Sequence, residues 1–237
     1  MNLSIVVPAY NEHENLLPLL EHLEKFVMMA PCQVEVIVVD DGSTDDTRAR
    51  LETQSEQRPW LTPVSMLENG GMGAALKVGS ARAHYPLVAW VMADRSDHLD
   101  DLLQMREHLL AGADLVVASR AAHGGNYGEL GSVKAFGSRA FSAFAKLMLG
   151  LPIYDSTNAY RIFRKELLDE LELERDDFAI SPEMVFAANA RKKRIEQVPT
   201  TYSFRRRGVS NFKILRMGMI YLRLTIRAFL ARLGRGE

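Results

Sequence analysis

The chain has little of what marks secreted, fibrous or membrane-spanning proteins. Its 237 residues include one cysteine, Cys32, which excludes an internal disulfide framework and fits a reducing compartment. The N-terminal stretch MNLSIVVPAYNE has neither a basic n-region nor a long apolar h-region, so we expect no signal peptide. With 47% apolar and 25% charged residues, the composition is that of an ordinary globular protein, long enough for one large domain or two small ones.

Net charge is also almost absent, at −1, but the charges are unevenly distributed. From Arg191 to Glu237 there are 13 Lys or Arg against two Glu, whereas the preceding 190 residues hold 16 bases and 28 acids. A basic C-terminal fifth on an acidic body suggests anionic partners such as phosphates, nucleic acid or a membrane surface. A solvated charged face is the simpler alternative.

Short apolar runs alternate with longer amphipathic ones over the first half of the chain. The runs read as strands are 3–8, 34–40, 63–67, 87–92 and 114–119, and their unbroken β-branched character suits parallel strands covered on both faces. The stretches with helical spacing are Glu12–Met29, Asp45–Gln54, Gly73–His84 and Leu99–Leu110, the second with a cap from Thr44 and Asp45. This alternation predicts an α/β fold with a doubly wound, mostly parallel sheet.

The regular alternation stops near residue 120. We expect helices at Val133–Leu149 and near Pro182–Ala190, then one or two strands that end in the basic loop RRRGVSNF. A last helix, Phe212–Leu233, carries a stripe of basic residues and is a poor transmembrane span. Either it lies in a membrane interface or it packs on the body or in a dimer contact. We divide the chain into a main α/β domain, 1–210, and this basic amphipathic helix, 211–237.

Every predicted strand is followed by a segment rich in Asp, Asn, Ser and Gly. In doubly wound sheets, ligands bind beyond the carboxyl ends of the strands, where these segments meet. One such segment would mean little, but five in succession outline a site. They are PAYNE, DDGSTDD, ENGGMG, ADRSD and SRAAHGG.

The stretch LVAWVMADRSDHLDD, residues 87–101, changes from an apolar strand to four acids: Asp94, Asp97, Asp100 and Asp101. An unpaired buried carboxylate is costly, so this cluster is solvated, paired with bases or holding a metal. Such an acidic edge would repel a phosphate backbone, so we expect no nucleic-acid partner.

Two glycine-containing motifs are weaker signals. In DDGSTDD, 40–46, the two acids are adjacent, which argues against an Asp-x-Asp phosphatase nucleophile and suits contacts to ribose hydroxyls or a base edge. NGGMGAAL, 69–76, predicts a helix start whose bare N–H groups would favour a phosphate. It is not a GxGxxG fingerprint after the first strand, which counts against a dinucleotide enzyme.

Taken together, these motifs resemble the family 2 glycosyltransferases of the GT-A fold, particularly the dolichol-phosphate-mannose synthase-like branch. The resemblance covers most of the chain, and the opening pair SIVVPAYNE and VVDDGSTDDT is highly specific in its order and spacing. The later motifs are ENGGMGAALKVG, MADRSD, ADLVVASR, DSTNAYRIFRKELL and PTTYSFRRRGVSNFK, and they make the polyprenyl-phosphate glycosyltransferase branch the best match.

The resemblance implies transfer of a sugar, with inversion at the anomeric carbon, from a GDP- or UDP-sugar. The positions implied for the donor are Pro8, Tyr10, Glu12, Asp40, Asp41, Gly71, Arg120, Arg205 and Ser210. Asp94 matches the second acid of the family's Asp-x-Asp metal motif, and Ser96 the polar position after it, so Mg²⁺ or Mn²⁺ is the implied cofactor. Met92 departs from this motif where its first acid would stand, and Asn211 stands where related proteins often carry a base.

The acceptor decides which further groups are needed. A hydroxyl acceptor requires a carboxylate base, for which Asp97 and Asp155 are the candidates. A lipid phosphate is already a nucleophile and requires cations, which Arg205 with its neighbours and Lys213 could supply. We therefore expect a polyprenyl phosphate acceptor and an enzyme peripheral to the cytoplasmic face of a membrane. The alternatives are a soluble acceptor, or a catalytically impaired nucleotide-sugar-binding protein.

Overall fold

The apolar runs of the sequence form the strands of one seven-stranded sheet. A computed structural model describes residues 1–128, 130–203 and 214–234, without the side chains of 214 and 215. The strands are β1 (Leu3–Ala9), β2 (Val34–Asp40), β3 (Leu61–Ser65), β4 (Leu87–Trp90), β5 (Leu115–Ser119), β6 (Arg161–Arg164) and β7 (Ile195–Pro199). Their order is β3-β2-β1-β4-β6-β5-β7, and β6 alone among them runs antiparallel to its neighbours.

The helices of the described chain follow the alternation that the sequence predicts. They are α1 (His13–Met29), α2 (Thr47–Ser55), α3 (Met72–Arg82), α4 (Asp101–Leu110), α5 (Ser132–Leu149), α6 (Glu166–Leu171), α7 (Ile180–Ala190) and α8 (Ile214–Gly234). The residue before α2 is Asp46, so the predicted cap is one residue off, although the Asp45 carboxylate does accept the Thr47 N–H at 2.9 Å.

Alternate side chains of the central strands enter two hydrophobic clusters, one on each face of the sheet. Ile5 and Val7 of β1 lie in the cluster that includes residues of α1 and α4, whereas Val6 lies in the cluster that includes residues of α3 and α7. All three are fully buried. Burial on both faces is the reason that these strands read as unbroken apolar runs.

The short strand β6 and the helix α6 were missing from the predicted elements. Arg161 begins β6 and is completely buried, and it donates hydrogen bonds to the carbonyl oxygens of Ala159 (3.2 Å) and Ser181 (2.8 Å). Its guanidinium lies 5.5 Å from the ring centre of Trp90, the residue that pairs with it in β4. Burial lowers the pKa of Arg161 to about 9. A buried arginine whose partners are carbonyl oxygens leaves no periodic signal in the sequence.

The terminal helix α8 packs against the body through one of its faces. Met217, Tyr221 and Thr225 are buried, and the Tyr221 ring lies 5.1 Å from the ring of Phe141 in α5. The Tyr221 hydroxyl donates to the Phe178 carbonyl oxygen at 3.3 Å. None of the helices within the described ranges is long and apolar enough to cross a membrane. The domain boundary at 210 falls outside the described residues and stays a prediction.

Candidate active site

The sheet topology brings the loops after the six parallel strands together at one edge of the sheet. β1 lies between β2 and β4. Strands β2 and β3 are added on one side of β1, and the strands from β4 onward are added on its other side. Such a switch point opens a crevice at the carboxyl edge. Because β6 is antiparallel, the segment that reaches this edge is the one before it, residues 155–160.

Asp40 and Asp41, at the end of β2, are both buried and both hold loops in place. Asp40 accepts the Ser43 N–H at 3.1 Å and pairs with Arg48 Nε at 3.0 Å. Asp41 accepts the backbone N–H groups of Gly70 at 2.7 Å and Gly71 at 3.0 Å. Burial raises the pKa of Asp41, and these two N–H groups offset part of that rise.

The turn after β1 is fastened to the loop after β2. Asn11 has a φ of +55°, and its N–H donates to Ser43 Oγ while its side-chain oxygen accepts the Thr44 N–H, both at 2.9 Å. The N–H of the buried Glu12 donates to Thr47 Oγ1 at 2.9 Å. Pro8 and Tyr10, half-buried, lie beside this junction. The structure thus brings together Pro8, Tyr10, Glu12 and Asp41, which the resemblance implies around the nucleoside of the donor, with Asp40 beside them.

The expectation of bare N–H groups at the start of α3 is wrong. The Gly73 and Ala74 N–H groups donate to the Asp176 carbonyl oxygen at 2.7 and 3.3 Å, and the Gly71 N–H is engaged by Asp41. A Cβ on Gly73 would come within 2.7 Å of the Arg175 carbonyl oxygen, so the close approach requires glycine. A phosphate therefore has no ready site on these amides, and Gly71 as a donor-binding residue stays a prediction.

The loop after β4 holds the carboxylates around Asp94. Arg95 has a φ of +61°, and the Ser96 N–H donates to Asp94 Oδ1 at 3.1 Å across that turn. Asp97 is buried and its Oδ2 accepts the Met92 N–H at 2.8 Å. Burial, together with the charge of Asp94, raises the pKa of Asp97 to about 8, against the lowering effect of the Met92 N–H.

Asp94 and Ser96 offer the oxygen atoms that a hard divalent cation prefers. In the described part of the chain, no group of three or more His, Cys, Asp and Glu side chains is arranged to hold a metal ion. The donor set therefore fits Mg²⁺ or Mn²⁺ only when a bound diphosphate supplies further oxygens, which is how Mg²⁺ is usually held.

Arg120, after β5, forms a bidentate ion pair with Asp155. Arg120 Nε lies 2.7 Å from Asp155 Oδ2, Nη2 lies 3.0 Å from Oδ1, and the Arg120 N–H donates to Oδ2 at 3.2 Å. Thr157 Oγ1 and Ser138 Oγ accept from the same guanidinium at 3.0 and 3.4 Å. Burial alone would raise the pKa of Asp155, but the charge and hydrogen bonds of Arg120 outweigh it and lower the pKa. The base role expected of Asp155 for a hydroxyl acceptor stays a prediction.

Tyr127 completes this cluster and was not among the predicted site residues. Its ring centre lies 5.2 Å from the Arg120 guanidinium and 4.4 Å from that of Arg139. Contacts of this length between arginine and an aromatic ring are attractive. The only signal in the sequence was the Gly-rich composition around Tyr127, which predicts a loop and not its contacts.

The segment that leads into the basic loop is anchored to the Asp94 loop. The Ser203 N–H donates to the Ser96 carbonyl oxygen at 3.2 Å, and Ser203 Oγ lies 2.9 Å from His98 Nε2. Thr200 Oγ1 donates to Asp101 Oδ2 at 2.6 Å. Arg205, Ser210, Asn211 and Lys213 lie outside the described residues, and the roles expected of Arg205, Ser210 and Lys213 stay predictions.

Comparison with known proteins agrees with the resemblance seen in the motifs. The profile of glycosyl transferase family 2 matches residues 4–172. The polyprenol monophosphomannose synthase of Mycolicibacterium smegmatis is 30% identical over 213 residues, 87% of this chain and 79% of that protein. The undecaprenyl-phosphate mannosyltransferase of Micrococcus luteus is 30% identical over 216 residues, 89% of this chain and 87% of that protein.

The fold also matches solved structures. Glucosyl-3-phosphoglycerate synthase from Mycobacterium tuberculosis, in complex with Mn²⁺, uridine-diphosphate and phosphoglyceric acid, superposes with a TM-score of 0.70. The match covers 98% of this chain and 78% of that one at 22% identity. At that identity the likeness bears on the fold alone, and it confirms the predicted GT-A class.

Proposed function

The chain belongs to glycosyl transferase family 2 and is a glycosyltransferase, and we propose that it transfers a sugar from a GDP- or UDP-sugar to a polyprenyl phosphate, with inversion. The observation that carries this proposal is the anchoring of Ser203 on Ser96 and His98. These hydrogen bonds join the loop after β4, which carries Asp94 and Asp97, to the residues that precede the basic sequence RRRGVSNF. The names of the two mannosyl-transferring relatives support the acceptor class.

In this proposal the donor lies across the switch point, with its nucleoside at the turn after β1 and beside Asp40 and Asp41. Negative charge builds on the leaving diphosphate as the anomeric bond breaks. Groups held in place where that charge develops stabilise the transition state, and Arg120 is such a group because Asp155 fixes its guanidinium. Asp94 and Ser96 would hold Mg²⁺ or Mn²⁺, which supplies a Lewis acid for the diphosphate when bound.

The state of Asp155, the more fully engaged of the two candidate bases, favours a phosphate acceptor over a hydroxyl. Asp155 is fully buried and its carboxylate is occupied by Arg120 and Thr157. Asp97 is buried and engaged by the Met92 N–H. A hydroxyl acceptor would need one of them as a base, whereas a phosphate monoester attacks as an anion. The cations that it requires would come from the Arg205 loop.

A further part of the proposal is attachment to the cytoplasmic face of a membrane. The outward side of α8 exposes apolar side chains at helical spacing. This set, which we call the apolar face, consists of Met219, Leu222, Ile226, Leu230 and Leu233. Arg216, Arg223 and Arg232 are exposed on the same helix. An apolar stripe beside basic residues suits an interface of anionic lipids.

The experiment that tests the proposed function compares two acceptors that differ in one group. Undecaprenyl phosphate and undecaprenol are each presented in detergent with Mn²⁺ and either GDP-mannose or UDP-glucose, and labelled lipid product is measured. We expect product from the phosphate with one of the donors and none from the alcohol. Product from the alcohol would overturn the phosphate nucleophile, and product from neither would overturn the polyprenyl acceptor.

A further inference from the structure

Residues 172–179, between α6 and α7, form neither a helix nor a strand, yet they bond to both α3 and α8. We call them the α6–α7 segment. Helix α3 begins beside the candidate active site, and α8 is the terminal helix. The segment therefore stands where the position of α8 can affect the site.

Asp176 of the α6–α7 segment holds the start of α3. Its carbonyl oxygen accepts the Gly73 and Ala74 N–H groups at 2.7 and 3.3 Å, and its carboxylate pairs with Lys77 Nζ at 2.7 Å. The two backbones are in close contact, since a Cβ on Gly71 would come within 2.6 Å of the Asp176 carbonyl oxygen. The first turn of α3 must therefore follow the position of Asp176.

The residues that lead into α3 in turn hold Asp41. The Gly70 and Gly71 N–H groups donate to its two carboxylate oxygens at 2.7 and 3.0 Å, and the Asn69 side-chain amide donates to its carbonyl oxygen at 3.2 Å. Because Gly71 directly precedes α3, a shift of the first turn of that helix would move these amides. The direction of the Asp41 carboxylate thus depends on the α6–α7 segment.

Helix α8 holds the same segment through two side chains. The hydroxyl of the buried Tyr221 donates to the Phe178 carbonyl oxygen at 3.3 Å, and Arg227 pairs with Glu174 at 3.1 Å on the surface. Burial, together with the charge of Asp177, raises the pKa of Tyr221. The hydroxyl therefore keeps its proton at neutral pH and remains a donor.

The α6–α7 segment is also braced against α7 along its length. The Glu183 carboxylate of α7 accepts the Glu174 and Arg175 N–H groups at 3.2 and 2.9 Å. At the other end of the segment, the Ala179 N–H donates to Asp177 Oδ1 at 2.9 Å. Because backbone groups are engaged at both ends, we expect a shift at one end to be passed on to the other.

We propose that Tyr221 is a positioning residue for donor binding, which acts on Asp41 through the α6–α7 segment. It fixes Phe178, and Asp176 of the same segment fixes the amides that orient Asp41. This assignment rests on the proposed function, in which Asp41 binds the donor nucleoside. It connects α8, the helix that carries the apolar face, with the opposite substrate of the reaction, and such a connection is measurable as a coupling free energy.

Calorimetry of the full chain with UDP and with GDP, each with Mn²⁺, tests the proposal. Tyr221→Phe removes the hydroxyl and keeps the buried ring, so we expect the Kd of the nucleotide that the wild type binds to rise roughly two- to tenfold. Gly73→Ala places a Cβ 2.7 Å from the Arg175 carbonyl oxygen and pushes the segment from α3, so the Kd should rise roughly tenfold or more.

Each variant has a matched control that should bind as the wild type does. Tyr85→Phe changes a half-buried tyrosine in the loop before β4, and Gly218→Ala adds a Cβ at an exposed position of α8 where no atom lies within 4 Å. In steady-state transfer by Tyr221→Phe, the KM of the donor sugar should rise while the KM of undecaprenyl phosphate is unchanged. A general loss of structure would not separate the two.

Wild-type nucleotide affinity in Tyr221→Phe would overturn the proposal, as would equal rises in both KM values. Because Tyr221→Phe leaves the core filled, this result does not depend on whether Gly73→Ala folds. In the double variant, Tyr221→Phe should add roughly twofold or less to the effect of Gly73→Ala, since the displaced segment no longer transmits it. Full multiplication of the two effects would overturn the shared route. A wild type that binds neither UDP nor GDP would instead overturn the proposed function.

Discussion

Arg120 and Asp155 bind each other through two parallel hydrogen bonds, 2.7 and 3.0 Å long, at the carboxyl edge of the sheet. Asp155 is wholly buried and the Arg120 side chain is 10% exposed. The pair connects β5 with the segment before the antiparallel strand β6. A planar, bidentate pair fixes the direction of the guanidinium, which an isolated arginine on a loop would lack.

Removing the charge of Asp155 should destabilise the protein. Asp155→Asn leaves Arg120 buried without its carboxylate, and breaking a buried pair in this way costs roughly 3–5 kcal/mol of unfolding free energy. Glu174→Gln, which breaks the exposed pair with Arg227, is the control and should cost less than about 1 kcal/mol. Urea unfolding of both variants measures the difference. Equal, small losses would show that the buried pair does not stabilise the fold.

The same pair should make stability depend on pH in one direction. The pKa of Asp155 is lowered in the folded protein from its ordinary value of 3.8, since Arg120 outweighs the effect of burial. A carboxyl with a lowered folded pKa contributes stability that is present above its unfolded pKa and is lost as the pH falls through the folded value. The stability difference between wild type and Asp155→Asn should therefore be constant from neutral pH to about pH 5 and shrink in more acidic solution. A difference that grows on acidification would contradict the lowered pKa.

Asp94 should carry the metal dependence of nucleotide binding. Asp94→Asn removes the charged oxygen that we propose as a metal ligand, so we expect Mn²⁺-dependent affinity for the cognate nucleoside diphosphate to fall at least about 100-fold in calorimetry. Asp100→Asn changes an exposed acid of the same loop and should leave that affinity unchanged. In EDTA the two variants and the wild type should be indistinguishable. An Asp94→Asn protein that keeps its Mn²⁺ response would place the metal elsewhere.

Loss of the hydrogen bond between Thr200 and Asp101 should lower the rate of transfer to the acceptor. Thr200→Val keeps the shape and removes the hydroxyl that donates to Asp101 at 2.6 Å, which costs roughly 1–3 kcal/mol for a hydrogen bond to a charged group. We expect transfer to undecaprenyl phosphate to fall roughly five- to thirtyfold while donor affinity is retained. Thr53→Val, at an exposed threonine on α2, is the matched control. Loss of donor affinity in Thr200→Val would show that the bond supports the donor site.

The apolar face should bind lipid. Leu230→Glu places a charge in that face. Leu67→Glu is the matched control, because it places a charge at a fully exposed leucine outside the face, in the loop before α3. Burial of a leucine contributes roughly 1.5–3 kcal/mol, so Leu230→Glu should weaken co-sedimentation with phosphatidylglycerol vesicles by about tenfold or more. Leu67→Glu should bind as the wild type does. Identical binding of all three proteins would argue for a different role of this surface.

Local patterns in the sequence predicted the alternating strands and helices of the first half of the chain. The features that these patterns did not predict depend on contacts between residues far apart in the sequence. Val36 to Val39 read as a strand because all four are buried on the two faces of the sheet. The start of α3 was expected to offer bare amides, yet Asp176, about a hundred positions along the chain, occupies them. Antiparallel β6 and its buried Arg161 likewise depend on partners that no local pattern encodes.

The candidate site likewise has residues that the sequence identified and contacts that it could not predict. Its acids could be found because they follow predicted strands, and the family motifs named Asp41, Asp94 and Arg120. Their pairing could not be predicted, since Asp41 meets Gly70 and Arg120 meets Asp155 across 29 and 35 positions of sequence. Tyr127 and Ser138 join the site through that tertiary pairing alone.

The structure of the reaction product tests the central claim most directly. Undecaprenyl phosphate is incubated with Mn²⁺ and an α-linked GDP- or UDP-sugar, and the glycolipid is examined by NMR for its linkage and anomeric configuration. We expect a β-linked sugar joined through a phosphodiester to the polyprenol, as direct displacement by a phosphate oxygen requires. An α-linked product, or free sugar as the only product, would contradict inverting transfer to a lipid phosphate.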